Sequence, residues 1–366
     1  MISISLCLIV KNEESVLDKC LYSVKEIVDE IIIVDTGSTD KTKAIAQKYN
    51  AKIYDFEWCN DFAKARNYSF GQATKDYILW LDADDIIPES DIEKFKNLKY
   101  TLSDSIDAVT MSYSRMRNEK NETTFSLRRH RLVKRKNNFL WIGRIHEYLS
   151  VHGNIFHSDI EVHHKKEIPT PSTRNLEIFL EMKNDNETFS NRDIYYFANE
   201  LFDNCRYEEA MEEYELFLTK DDIWVEDRKS ATFNLYRCYY HLSKKDKILP
   251  LLFNSFLYDS PRADICCGIA NTFLEERRFN EAIFWYKLAL NCKPEKNNMG
   301  FNFKDFYTFV PAIQLCVCYC EIGDYEKAFY YNELASLSET PPQKTEYNRN
   351  YITKKLFEHN LQIPIF

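Results

Sequence analysis

The sequence predicts an α/β domain, built on a mixed, mostly parallel sheet with flanking helices, followed by an all-α domain of paired repeating helices. Three observations carry this reading. Two strand-like runs, at 1–10 and 30–34, bracket an amphipathic pattern, and the second is nearly all apolar, as in parallel strands covered on both faces. Beyond a proline-rich stretch, Ile168-Pro169-Thr170-Pro171-Ser172, strand patterns give way to helical ones. In that second half Tyr207-Glu208-Glu209-Ala210 recurs as Phe279-Asn280-Glu281-Ala282 and as Tyr325-Glu326-Lys327-Ala328. The 366 residues exceed one typical core, so the domains are placed at 1–168 and 169–366.

Residues 1–10 lack a basic leader and a small-residue cleavage site, and read as a first strand. Lys11-Asn12-Glu13-Glu14 follows, then a helix with Leu17, Leu21 and Val24 on one face. The second strand ends in Asp35-Thr36-Gly37-Ser38-Thr39-Asp40, where Gly37 permits a turn and Ser38 or Thr39 is expected to cap a helix running through Tyr49. A third strand is expected over 51–56. Ligands of open α/β sheets bind beyond the carboxyl ends of strands, so Asp35 is either an acceptor for a base or ribose or part of a bare turn. Asn60 or Asp61 should cap the next helix, whose Arg66 either reaches a phosphate or is a surface cation.

Next, Tyr77-Ile78-Leu79-Trp80-Leu81-Asp82-Ala83-Asp84-Asp85 sets an apolar run against three carboxylates. On a strand, Asp82 and Asp84 would face one side and could share a divalent cation on a diphosphate; the competing reading is a solvated turn. Ser90 and Glu93 form a capping-box pattern, which leaves Asp85 to the turn. A strand is expected from Ala108 to Tyr113. The basic stretch 126–136 reads as a solvated edge, or else one or two of its arginines face an anion. Phe139-Leu140-Trp141-Ile142-Gly143-Arg144-Ile145-His146-Glu147 places a His-Glu pair after a glycine turn, and in 159–164 the side chains of Ile160, Val162 and His164 share one side.

In the C-terminal half the first two repeat alanines are 72 residues apart, which leaves room for a divergent repeat at 245–252, and an insertion at 297–305 separates the last two. The pattern resembles degenerate tetratricopeptide repeats, whose concave surface would suit a peptide or a second copy of the chain. Cys316, Cys318 and Cys320 are two apart and cannot share one metal face on a helix. Eleven cysteines with no C-x-x-C pair fit free thiols in a reducing cytoplasm. A net charge of −9 argues against general nucleic-acid binding, and no apolar run reaches the length of a membrane span.

The runs L-C-L-I-V-K-N-E-E, I-I-I-V-D-T-G-S-T-D, W-C-N-D-F-A-K-A-R-N and W-L-D-A-D-D stand in the order found in family 2 glycosyltransferases of the GT-A fold, which the first hundred residues resemble. The resemblance implies that Glu13 and Asp35 bind the ribose and uracil of a UDP-sugar, that Asp82 and Asp84 hold Mn²⁺ or Mg²⁺ on its diphosphate, and that Arg66 lies near the nucleotide. Asp40 also matches a motif position. Phosphatases with a D-x-D motif are a poor match, because theirs normally ends the first strand and precedes a threonine. In the most similar subset, a W-x-G-x-x-H-E segment lies in the acceptor half, so Glu147, or else His146, is the expected base. His164 matches a third metal ligand, which would favour Mn²⁺. The subset's glycine-tyrosine after that histidine is replaced by Lys165-Lys166. A donor domain with a repeat tail is similar to bacterial peptide S-glycosyltransferases. The implied reaction is inverting transfer of a hexose or N-acetylhexosamine to a cysteine, serine or threonine side chain. A glycan or lipid-linked acceptor, and a non-catalytic scaffold, are the alternatives.

Overall fold

A computed structural model describes residues 1–117, 123–164, 173–293, 302–338 and 342–364. The chain divides into two compact units, Met1–Met116 with Ser126–Thr188, and Arg117–Phe125 with Phe189–Phe366.

The first unit contains β1 (Ile4–Val10), α1 (Leu17–Val24), β2 (Glu30–Asp35), α2 (Thr42–Lys48), β3 (Lys52–Asp55), α3 (Phe62–Gly71), β4 (Tyr77–Trp80), β5 (Asp85–Ile86) and α4 (Glu89–Thr101). After these come β6 (Ala108–Arg117), β7 (Thr123–Lys134), β8 (Trp141–Ile142), β9 (Tyr148–Leu149), β10 (Ile155–His164) and α5 (Arg174–Asn184). The sheet runs β3-β2-β1-β4-β7-β6-β10-β5, with β8 and β9 forming a separate ribbon. β1 pairs in parallel with β2 and β4, and β2 with β3, while β4–β7 and β10–β5 are antiparallel. Every residue of β2 is buried, as its apolar run requires. On α1 the buried positions include Leu17, Leu21 and Val24, the stripe expected from the sequence. One core layer joins Cys7, Ile32, Ile78, Trp80, Val133 and Trp141, so the strand ends that carry the site rest on a packed aromatic floor.

Several local expectations are corrected. β4 stops at Trp80, and Asp82 and Asp84 lie in a turn, not on a strand. The capping box is absent: α4 begins at Glu89 behind Pro88, which places Ser90 and Glu93 inside the helix. Neither Ser38 nor Thr39 caps α2, which starts at Thr42 without a side-chain cap. Both are drawn away by Asn12, whose N–H donates to Ser38 Oγ and whose Oδ1 accepts from the Thr39 N–H.

In the second unit the helices are α6 (Asn191–Asp203), α7 (Tyr207–Leu218), α8 (Val225–His241), α9 (Lys245–Asn254), α10 (Ala263–Glu275), α11 (Phe279–Asn291), α12 (Phe309–Glu321), α13 (Tyr325–Ser336) and α14 (Gln343–Glu358). They pack in sequential pairs, α6 on α7 through α12 on α13. The recurring segments open α7, α11 and α13, and their alanines, Ala210, Ala282 and Ala328, are fully buried. An alanine there lets a partner helix approach closely. The divergent repeat at 245–252 is α9. The proline-rich linker, Lys165-Lys166 and part of the 297–305 insertion lie outside the described residues. All eleven cysteines are free thiols. Among the described residues, no helix is long and apolar enough to cross a membrane.

Candidate active site

The acidic turn closes on itself. The Asp85 N–H donates to the Asp82 carbonyl at 3.0 Å, and the Asp82 N–H donates to Asp85 Oδ2 at 3.0 Å. Asp85 then starts β5 and sits opposite His164 of β10. That pairing brings His164 Nδ1 within 3.3 Å of Asp84 Oδ1 and 3.5 Å of Asp85 Oδ1, while the Tyr113 hydroxyl lies 3.0 Å from the same nitrogen. Ligand atoms of Asp84, Asp85 and His164 all fall within 4.8 Å of one another.

The donor set suits a divalent cation. Asp85 Oδ1 is buried and has no hydrogen-bond partner, an expensive state for a carboxylate oxygen unless a cation or proton faces it. Burial pushes the His164 imidazole down, but the carboxylates of Asp84 and Asp85 beside it outweigh this and raise it to about 9. A cation held by a neutral ring would neutralise the same two carboxylates. Asp82, expected in the metal set, is not grouped with these three atoms, and Asp85, expected only in the turn, is.

Asp82 is engaged elsewhere. Arg66 donates from Nη2 to Asp82 Oδ1 at 2.7 Å and from Nε to Glu147 Oε1 at 2.6 Å. Its side chain is 11% exposed, and the guanidinium lies 5.1 Å from the Trp80 ring and 4.8 Å from that of Trp141. Burial pushes the Asp82 carboxyl up, but Arg66 and Arg131 outweigh it and hold it at about 2. α3 aims Arg66: Asp61 caps it by accepting from the Lys64 N–H. One residue on, the Asn67 carboxamide exchanges two hydrogen bonds of 2.9 Å with the Trp141 backbone, fixing α3 to β8. Neither the phosphate contact nor the surface position expected of Arg66 describes this arrangement, an internal bridge between two carboxylates.

At the carboxyl ends of β1 and β2, two loops are laced together. The Glu14 N–H donates to Asp40 Oδ2, the Lys41 N–H to Glu14 Oε2, and the Glu13 N–H to Thr42 Oγ1. This sets the Glu13 backbone beside the loop that follows Asp35. Asp35 Oδ1 accepts from the Gly37 and Ser38 N–H groups at 2.9 and 2.8 Å, whereas Oδ2 is buried and unpartnered. Gly37 has φ +104°, so any other residue there would be strained. A fixed carboxylate with one oxygen unused is suited to accept an N–H from a heterocycle.

The expected His-Glu pair is split. His146, at φ +49°, stacks on Phe179 of α5 with ring centroids 6.3 Å apart, while Glu147 turns to Arg66. The structure therefore unites Arg66, Asp82 and Glu147 in one group and Asp84, Asp85 and His164 in another. Sequence reasoning missed Arg131, a member of the supposedly solvated basic edge that is fully buried and ion-paired with Asp85 at 2.9 Å. The available signal was its place directly before Leu132-Val133, on a strand whose partner is apolar.

Residues 5–160 match the family model described as glycosyl transferase family 2. Over 124 residues the chain is 43% identical to a TPR repeat-containing protein of Synechococcus elongatus, covering 32% of this chain and 31% of that protein. Over 109 residues it is 37% identical to the SPbeta prophage-derived glycosyltransferase SunS of Bacillus subtilis, covering 29% and 26%. The chain thus spans less than a third of the length of each of these two relatives. Among solved structures, glucosyl-3-phosphoglycerate synthase from Mycobacterium tuberculosis, in complex with Mn²⁺ and UDP-glucose, is 14% identical with a TM-score of 0.34, covering 52% of this chain and 81% of that one.

Proposed function

We propose that this protein is a metal-dependent, inverting glycosyltransferase that moves a hexose or N-acetylhexosamine from a UDP-sugar to a peptide or protein side chain. The observation that carries the proposal is the convergence of Asp84, Asp85 and His164 at the end of the family 2 domain's sheet, beside the Arg66 bridge. Asp84, Asp85 and His164 would hold Mn²⁺ or Mg²⁺, with the imidazole favouring Mn²⁺. The cation, when bound, supplies neutralisation of the diphosphate as it leaves.

The chain's own residues do the rest. Asp35, with Oδ2 unused, accepts from the uracil N–H, and Glu13 binds the ribose from the adjoining loop. Asp82 and Glu147 are oriented by Arg66, which spans both. In this reading Asp82 holds Arg66 and Asp85 takes its place on the metal, which the grouping of Asp84, Asp85 and His164 supports. Glu147 keeps Oε1 on Arg66 and receives the acceptor's proton at Oε2, as the acceptor's sulfur or oxygen bonds to the anomeric carbon and the bond from that carbon to the diphosphate breaks. His146 shapes the acceptor side in this reading, which its stacking on Phe179 supports. The paired helices of the second unit, with their repeating segments, support a peptide acceptor, and eleven free thiols support a reducing compartment.

The direct test is incubation with a panel of UDP-sugars, Mn²⁺ and Cys-, Ser- or Thr-containing peptides, read by intact mass. A gain of one sugar mass on a peptide, dependent on Mn²⁺, is the expected result. Transfer to saccharides alone would reject the peptide acceptor, and no release of UDP with any donor would reject the activity.

A further inference from the structure

We infer that Arg131 is the positioning residue of the acidic cluster: it divides the Asp85 carboxylate, anchoring one oxygen and leaving the other for a cation. The inference rests on the metal reading above and goes beyond it to a residue on β7 that touches neither nucleotide nor metal in that scheme.

Asp85 Oδ2 is taken twice, by Arg131 Nη2 at 2.9 Å and by the Asp82 N–H at 3.0 Å. Oδ1, with no hydrogen bond, is left pointing at His164 Nδ1. The same guanidinium donates from Nη1 to the Trp80 carbonyl at 3.3 Å, fixing the residue from which the acidic turn departs. It lies 4.0 Å from the Trp80 ring and 4.5 Å from the Tyr113 ring, and the Tyr113 hydroxyl holds His164. One side chain thus braces the turn's origin, the Asp85 carboxylate and the ring that steadies His164.

The chemistry calls for arginine. Its planar fork addresses a carboxylate and a carbonyl together while its faces lie against aromatic rings, and a lysine ammonium does not reproduce that geometry. The site must also carry three carboxylates, Asp82, Asp84 and Asp85, close together. A permanent cation behind Asp85 offsets part of that crowded negative charge without occupying the oxygen that faces His164.

Bracing and electrostatics predict opposite signs. A positive charge near a cation site repels the cation, so if Arg131 acted through charge alone, its removal would tighten metal binding. If it positions the ligands, removal weakens binding, as loss of a partner that orients metal ligands commonly does by roughly 10–100-fold.

The experiment titrates the full chain with Mn²⁺ alone, following free Mn²⁺ by electron paramagnetic resonance, for wild type, Arg131→Met, Arg131→Lys and Tyr113→Phe, each checked for folding by circular dichroism. The expected result is weakening of at least about tenfold in Arg131→Met, a smaller loss in Arg131→Lys, and a slight loss in Tyr113→Phe. Should Arg131→Met not fold, Arg131→Lys, which keeps charge and stem, decides by the same reading. Folded variants that bind Mn²⁺ as tightly as wild type, or more tightly, overturn the inference while leaving the metal reading in place. A wild type that binds no Mn²⁺ overturns both.

Discussion

Arg66 is a cation in an aromatic-walled site, paired with two carboxylates, so its loss leaves Asp82 and Glu147 without the guanidinium that bridges them. Removing one partner of such a buried group typically costs about 3–5 kcal/mol. Arg66→Met should lower unfolding stability by that order in a denaturant titration, and Arg66→Lys should restore little, since an ammonium cannot span both acids. An unchanged midpoint in Arg66→Met would remove the bridge from the account. A second residue gives a pH signature. Burial pushes the Glu30 carboxyl up, but hydrogen bonds from Lys52, Ser5 and Thr74 outweigh it and hold it at about 2, below its ordinary 4.5. A depressed carboxyl stabilises the fold above its unfolded value and loses that contribution as pH falls through the folded one. Wild-type stability should therefore fall between about pH 4.5 and 2 more steeply than that of Glu30→Gln, and parallel curves would contradict this.

At the scale of elements, the site depends on how three short pieces end. β4 stops at Trp80, α3 is started by Asp61, and β5 pairs with β10 for two residues only. Asp61→Ala should cost about 1 kcal/mol in unfolding free energy, the usual loss for an N-cap acid, and should loosen Arg66 at the same time. A neutral substitution would mean that α3 is fixed by the Asn67–Trp141 exchange alone. The elements differ in how far the sequence reveals them. The β1-α1-β2-α2-β3 order and the buried stripe of α1 follow from apolar runs and helical spacing, and the sequence narrows the cap of α3 to Asn60 or Asp61, of which Asp61 is the one used. The proposed metal cluster does not follow. Strand alternation assigns Asp82 and Asp84 to one side, but the chain turns after Trp80, and a long-range strand pair then sets Asp85 against His164. Arg131 was hidden for a related reason: the burial of a charged residue is decided by the partners around it, here Asp85, Trp80 and Tyr113, and those are supplied by distant segments. The roles proposed for Glu13, Asp35 and Glu147 come from the family resemblance, whereas the split between His146 and Glu147 required the backbone of the glycine turn.

On the scale of the whole molecule, the proposed donor and metal residues all belong to the first of the two compact units. Binding to the native state alone stabilises it by about 2.7 kcal/mol at a ligand concentration 100 times the dissociation constant. Saturating UDP with Mn²⁺ should accordingly raise hydrogen-exchange protection in the acidic turn and in β1, β2 and β10. Protection gained only in the helical unit would point to a different site. The central claim is that Asp84, Asp85 and His164 form a metal centre that holds the donor's diphosphate. Its most direct test is calorimetric titration of UDP into the full chain, with Mn²⁺ or with EDTA, for wild type and Asp84→Ala. Wild type should bind UDP in Mn²⁺, and EDTA or Asp84→Ala should abolish that binding. Equal UDP binding in EDTA, or undiminished binding to Asp84→Ala, would contradict it.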